Sequence, residues 1–422
     1  MENQLKRDIR TPGAVLMGLG SIVGTGIFVS IAIAAQIAGN GIIIAIVIAA
    51  LLAAFNGLSS AQLAAAHPVS GGTYEYGYRF LGPWFGFTAG LMFMVAKSAS
   101  AATALLGTVG YLFYAFEMST NRFVTVAAGL LLLTVMTLLV SGGIRRSNLA
   151  NKIIVSITLL GLLFFIAAGL WTQGLPVQPL ADSFPDFSLS AVLYASALMF
   201  VAYTGYGRIA TLGEEVSDPK KTIPRAIILS MVVIVLLYLA VSLTAIQVMG
   251  ADAFGATVGG EAAPLMIAAQ ALSVPFLGGL ITIAAITAML GVLLNLLLGL
   301  SRVLLGMARR EDVPKSLAKI NPANQSPVRA VWVTGGIIGL LTLSGDVVFT
   351  WSFSAFTVLI YYAITNLSAL FLPEELRLYP RAIPAAGLLG CLFLAFWIDP
   401  GIWIYGVLLI IAGSFYKVAR PS

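Results

Sequence analysis

Apolar residues run along this chain in long blocks, separated by short polar segments rich in glycine, proline and charge. The blocks lack the two-residue alternation of a half-buried strand and are apolar around the whole helical circumference, as expected of helices in hydrocarbon. Since about 20 apolar residues cross a bilayer core, the blocks predict twelve spans. They lie at approximately 12–37, 41–65, 83–115, 121–141, 147–171, 188–212, 224–249, 275–308, 328–345, 347–372, 382–398 and 401–418. The last two are short and divided by the Asp399-Pro400-Gly401 turn. The pattern therefore predicts an all-α integral membrane protein with twelve transmembrane helices.

Two spans are interrupted. The first carries Gly24-Thr25-Gly26 at its middle, and the sixth carries Tyr203-Thr204-Gly205-Tyr206-Gly207. Glycine lacks Cβ and has low helix propensity, so such a segment unwinds at modest cost. Irregular backbone at membrane depth is tolerated only where it faces protein or a water-filled cavity. A matched pair of breaks in two halves of a membrane protein marks a midplane site for a translocated solute. Close helix packing through small residues is the alternative role for these glycines.

Composition agrees with the pattern: 59% of the 422 residues are hydrophobic and 9% charged. No water-soluble domain hides that much apolar surface. With an inside start, the inner segments hold nearly all the bases, from Arg10 and Arg79 through Arg145, Arg146, Lys220 and Lys221 to Arg309, Arg310 and Lys417. The outer segments hold Arg122 against acids that include Glu117, Asp182, Asp252, Glu261 and Asp346. That asymmetry places both termini in the cytoplasm. The net charge of +6 thus reflects topology and not nucleic-acid binding, and the first span reads as a permanent helix without a cleavage site. One cysteine, Cys391, rules out an internal disulfide, and one histidine, His67, rules out a His-rich metal site. Paired carboxylates within a span are lacking, so intramembrane hydrolysis has no machinery. Neither a metal, a cofactor nor an enzyme activity is expected.

The first helix reads Gly20-Ser21-Ile22-Val23-Gly24-Thr25-Gly26-Ile27-Phe28, and the loop after span 2 reads His67-Pro68-Val69-Ser70-Gly71-Gly72-Thr73-Tyr74. Span 6 and its exit read Ala202-Tyr203-Thr204-Gly205-Tyr206, then Glu214-Glu215-Val216, Asp218-Pro219-Lys220-Lys221 and Ile223-Pro224-Arg225. Span 8 ends in Ser301-Arg302, Ala308-Arg309 and Val313-Pro314. In these blocks, and in their order, the chain resembles the bacterial amino-acid permeases of the amino acid–polyamine–organocation (APC) superfamily. The resemblance implies one transporter domain with the five-plus-five inverted repeat of the leucine-transporter-like fold, discontinuous in helices 1 and 6. Repeat one would cover about 12–171, repeat two about 188–372, and peripheral helices about 382–418. It further implies a secondary active transporter of the cell inner membrane that moves amino acids, neutral ones by the small, apolar and aromatic residues named below, by alternating access.

The resemblance also implies how a zwitterion is held. The helix beginning after Gly26 offers unpaired N–H groups and a positive dipole end to a carboxylate, while helix ends near Ile22 and in span 6 offer carbonyls to an ammonium. Carboxylate contacts fall to Thr25, Gly26 and Ile27, beside Gly24, and ammonium contacts to Ile22, Val201 and Ala202. Tyr203, Gly205 and Tyr206 are candidate pocket walls or gates, with helix packing the alternative role for the tyrosines.

Coupling is where the chain departs from the pattern. Many relatives place a lysine in span 5 at the position counted here as Thr158, and Lys152 lies too near the cytoplasmic end to replace it. Lys97 instead lies near the middle of span 3, on a face of small residues that should pack against protein. A charge at midplane costs about 2.5–3.5 kcal/mol on insertion scales, and such residues mark functional sites. Lys97 is therefore expected to be the internal cation or proton carrier, making transport proton-linked or sodium-independent; the alternative is a structural lysine bonded to carbonyls of an unwound helix. Arg208 is a candidate inner gate with Glu214 or Glu215, or a structural pair at the cytoplasmic side. Thr282 and Thr287 could offer hydroxyls to an ion, although bonding within their own helix is the commoner fate. An exchanger or exporter of amino acids or amines is an alternative with the same site. A non-transporting sensor is disfavoured by the short tails, and a disulfide-linked subunit by the lack of cysteine in the loop after span 3.

Overall fold

A computed structural model describes residues 10–67, 71–118, 121–143, 148–176, 188–210, 216–258, 263–322 and 325–419. Among them every long element is helical. Helix α1 (Thr11–Ile22) leads through a π-helical turn, Gly26–Ser30, into α2 (Ile31–Ala38), and α3 (Ile42–Ala66) follows. The short α4 (Thr73–Phe80) precedes α5 (Pro83–Ala115), α6 (Arg122–Ser141) and α7 (Asn148–Gln173). Helix α8 (Leu189–Tyr203) passes through a 3-10 turn, Thr204–Tyr206, into α9 (Gly207–Ala210). Next come α10 (Pro219–Met249), two short helices α11 (Ala251–Ala256) and α12 (Pro264–Ala271), and α13 (Leu277–Arg309). The chain ends in α14 (Val328–Thr342), α15 (Val347–Leu370), α16 (Ala382–Phe396) and α17 (Pro400–Ala419).

Nine helical stretches among the described residues are long and apolar enough to cross a membrane. One of them, Gly26–Ala66, has 41 residues. At 1.5 Å per residue it would run about 60 Å, twice the hydrocarbon thickness, and it is divided where Gly39 takes φ +55°. Thr11–Ile22, Val328–Thr342 and Ala382–Phe396 are apolar but shorter. Helix α10 begins five residues before the span expected from 224, because Pro219 occupies its first turn. Pro224 then falls inside the helix, in its second turn, where it removes the i→i−4 bond to the Lys220 carbonyl.

Burial sorts the helices. The most apolar windows of α5 and α15 are each 78% buried, against 17% for α17. Helices α13, α14 and α15 pack along α5, while α3 packs against α8, α10 and α16. Serine, threonine and alanine line α5 between Ser98 and Ala104, all buried, so neighbouring backbones approach closely. Cys391 of α16 is buried, with its Sγ 3.4 Å from Asn56 Oδ1 of α3.

One polar knot ties α4 to the ends of two long helices. The buried Asp312, just beyond α13, accepts from Tyr74 Oη at 2.7 Å, Tyr78 Oη at 2.6 Å and Lys417 Nζ of α17 at 2.6 Å. Arg310 pairs with Glu75 at 2.7 Å and lies 4.3 Å from the Tyr78 ring centroid. Burial first, then the Asp312 carboxylate, pushes both phenols above their ordinary range, so they stay protonated and remain donors.

Candidate functional site

The first break is three residues long. Helix α1 closes with the Val23 N–H on Leu19 O at 2.8 Å, and Val23 itself turns extended at φ −77°, ψ 107°. Helical bonding resumes when the N–H groups of Ile27 and Phe28 both donate to Gly24 O, at 3.0 and 3.2 Å. A π-helical turn follows at once, a geometry that recurs at functional sites because it re-aims side chains and carbonyls. Thr25 is buried, and its hydroxyl has no hydrogen-bond partner among the described residues.

The two breaks meet. A Cβ added at Gly26 would lie 2.7 Å from Ala202 Cβ and 2.6 Å from Tyr238 Oη, so a side chain cannot be accommodated without movement. One added at Gly205 would strike the Ser21 carbonyl and approach Ile22 Cγ1 to 2.7 Å. The glycines are thus where two backbones touch: Gly26 lies against the end of α8, and Gly205 against the end of α1. Ile22, Gly24, Thr25, Gly26, Ile27, Val201, Ala202, Tyr203 and Gly205 all fall in this contact region or the turns flanking it.

The carbonyls expected to face an ammonium already have protein donors. Tyr238 Oη of α10 lies 3.0 Å from Ala202 O and 3.3 Å from Ile22 O, bridging the two breaks with one hydroxyl. Val201 O accepts from Thr204 Oγ1 at 2.7 Å. A carbonyl oxygen has two lone pairs, so these bonds leave acceptor capacity. The second break is also more compact than open coil, since it is a 3-10 turn held by side chains from other helices. Tyr362 Oη donates to Thr204 O at 3.3 Å, and Trp351 Nε1 to Leu198 O at 3.0 Å. Tyr203 Oη donates to Ile46 O at 3.3 Å, and the Tyr206 ring lies 5.5 Å from that of Tyr362. Residue patterns alone did not single out Tyr238, Trp351 or Tyr362. Their signal was a polar-tipped aromatic inside an apolar run, which when buried needs a partner.

Lys97 reaches this region. Its Nζ donates to Thr204 Oγ1 at 2.7 Å, so the half-buried lysine bonds a side chain of the second break, and no ion pair to it occurs among the described residues. Thr158 is elsewhere: its hydroxyl donates to Ile154 O at 2.8 Å within α7. Thr282 and Thr287 likewise donate to carbonyls of their own helix. Arg208 sits on α9, whereas Glu214, Glu215 and the loop residues Pro68, Val69 and Ser70 lie outside the described residues. Among the described residues, no cluster of histidine, cysteine and acidic side chains could hold a metal.

An all-helical chain with paired glycine breaks in contact is what comparison with known proteins can now place. The family model for amino acid permeases matches residues 13–421. The chain belongs to the amino acid permease family. An uncharacterized transporter of Mycobacterium tuberculosis is 39% identical over 394 residues, covering 93% of this chain and 87% of the relative. A branched-chain amino acid permease of Bacillus subtilis is 30% identical over 427 residues, covering 93% and 88%. A methylthioribose transporter of the same organism is 28% identical over 377 residues, covering 84% and 80%. This permease is therefore a multi-pass membrane protein of the APC superfamily, and its single cysteine can form no internal disulfide.

Proposed function

We propose that this permease is a secondary active transporter that moves neutral amino acids by alternating access, with the substrate zwitterion held between the two helix breaks. Twelve helices span the inner membrane, ten of them as a five-plus-five inverted repeat in one domain over 1–422, with both termini cytoplasmic. The three shorter apolar helices complete this count, α1 by joining the turn and α2 beyond its break.

The carrying observation is the contact of Gly26 with Ala202 and of Gly205 with the end of α1, beside the unpartnered Thr25 hydroxyl. The substrate carboxylate takes the Gly26 N–H and the Thr25 hydroxyl, and on binding draws the Ile27 N–H away from Gly24 O. Its ammonium takes the carbonyls of Ile22, Val201 and Ala202, sharing or displacing the Tyr238 hydroxyl. The branched-chain permease among the relatives supports a neutral substrate. Lys97 supports proton linkage through its bond to the second break.

A second reading has its own observation. Because one neutral hydroxyl bridges Ile22 O and Ala202 O, a polyhydroxylated solute would also suit these carbonyls, and one relative is named for methylthioribose. Thermal stabilisation of the purified protein by a solute panel separates the two. A neutral amino acid should stabilise it, while its amide, its N-acetyl derivative and sugars should not, and Gly26→Leu should fold yet lose the response. Stabilisation by the amide or the N-acetyl derivative equal to that by the parent would refute the zwitterion site.

A further inference from the structure

Tyr111 lies fully buried in the last turns of α5, away from the break region itself. Its hydroxyl donates to Phe28 O in the π-helical turn at 3.0 Å and accepts the Leu265 N–H at 3.2 Å. The ring packs edge-on against Phe28, with centroids 6.3 Å apart. Leu265 is the second residue of α12, and its N–H is among those a helix cannot satisfy from within. One oxygen therefore joins α5, the first helix just past its break, and the capping helix α12.

The elements it joins are also held by close contacts with their neighbours. On α11, a Cβ added at Gly255 would lie 2.6 Å from the Gln36 backbone of α2, so the two helices meet without an intervening side chain. Thr282 Oγ1 of α13 lies 2.8 Å from Met266 Sδ, next to Leu265. Opening the first break towards this face, the outer one in the proposed orientation, must part Phe28 from α5 or lift α12. Either motion breaks a hydrogen bond of Tyr111 while the groups are buried.

We propose that Tyr111 is a positioning residue that pins the outer part of the first helix to α12, so that its hydroxyl sets how often the site opens outward. The inference rests on the transport reading and orientation given above. Tyr111→Phe keeps the ring against Phe28 and removes both bonds. Two lost bonds, each of modest net worth because water replaces them on opening, should raise the outward-open population about tenfold.

The test uses the full chain in liposomes, in a Cys391→Ser background with Val29→Cys, a buried reporter next to Phe28. Tyr111→Phe should speed labelling by a membrane-impermeant thiol reagent about tenfold. It should also lower the external KM and the maximal rate together, since more protein waits open and closure is slower. Thr108→Val, which removes a buried hydroxyl bonded within α5 to Ala104 O, should leave labelling unchanged. Unchanged labelling in Tyr111→Phe overturns the pin, and a lowered melting temperature with unchanged labelling and KM reduces Tyr111 to a structural role. Labelling needs no substrate, so the pin is tested even if no panel solute binds.

Discussion

At the scale of single residues, the site is built by what is missing as much as by what is present. Gly26 and Gly205 let two backbones touch, and a methyl group at either would push them apart. Glycine at mid-span marked these positions in the sequence as a helix break or a close helix contact, and the structure has both. Tyr238 was not legible, because nothing in a single apolar run tells which distant carbonyls its hydroxyl will meet. Its bridge between Ile22 O and Ala202 O yields a sharp expectation for Tyr238→Phe. Without ligand the variant removes the one donor these two buried carbonyls share, a loss of about 1–3 kcal/mol, so its melting temperature should fall. A bound ammonium supplies donors to the same carbonyls, so the stabilisation by a neutral amino acid should exceed that of the parent protein. An equal or smaller ligand-induced shift would show that the substrate ammonium does not share these acceptors.

At the scale of elements, length and hydropathy located the long helices, and the π-helical and 3-10 turns were beyond reach. Sequence indicates that a helix is weakened at Gly24 or Gly205, but neighbours decide how it is repaired. Tyr362 and Trp351 come from α15, a helix far along the chain, and their bonds hold the second break in a compact turn. The knot around Asp312 shows the same limit: five residues from α4, the end of α13 and α17 converge there, and no local pattern joins them. A buried carboxylate with three donors loses more when its charge is removed than when one part-buried donor is. Asp312→Asn should therefore lower the thermal midpoint markedly, on the scale of about 3–5 kcal/mol for breaking a buried pair. Lys417→Met, which removes the donor that reaches the surface, should cost less because Tyr74 and Tyr78 remain. Equal losses from the two variants would mean that the ion pair, and not the phenols, carries the anchor. The raised phenols add a pH signature: their contribution is complete below about pH 10, the unfolded value for tyrosine, and is lost as pH climbs towards their folded values. Stability in strong alkali should consequently fall less steeply in a Tyr74→Phe, Tyr78→Phe double variant.

At the scale of the whole molecule, the proposed transport raises the question of how a solute between the two breaks would be coupled to an ion. Lys97 donates to Thr204, whose hydroxyl in turn donates to Val201 O at the end of α8. A change in the state of Lys97 is thereby transmitted to one of the carbonyls assigned to the substrate. This short path makes Lys97 the proposed coupling residue, and it makes Thr158 a helix-internal hydroxyl instead. The expected behaviour is uptake into liposomes that varies with pH across a range in which the substrate carboxylate stays ionised throughout. Lys97→Met keeps most of the side-chain volume and removes the titrating group, so its pH profile should flatten. Replacing sodium with choline should change neither protein if coupling runs through Lys97. Thr204→Val, which removes the partner of Lys97 but keeps the lysine, should shift the profile without abolishing it. A Lys97→Met protein with the parent pH profile would leave the lysine as a brace for the second break. A strict sodium requirement would instead direct attention to the first break near Gly20 and Val23, where α1 and α7 pack together.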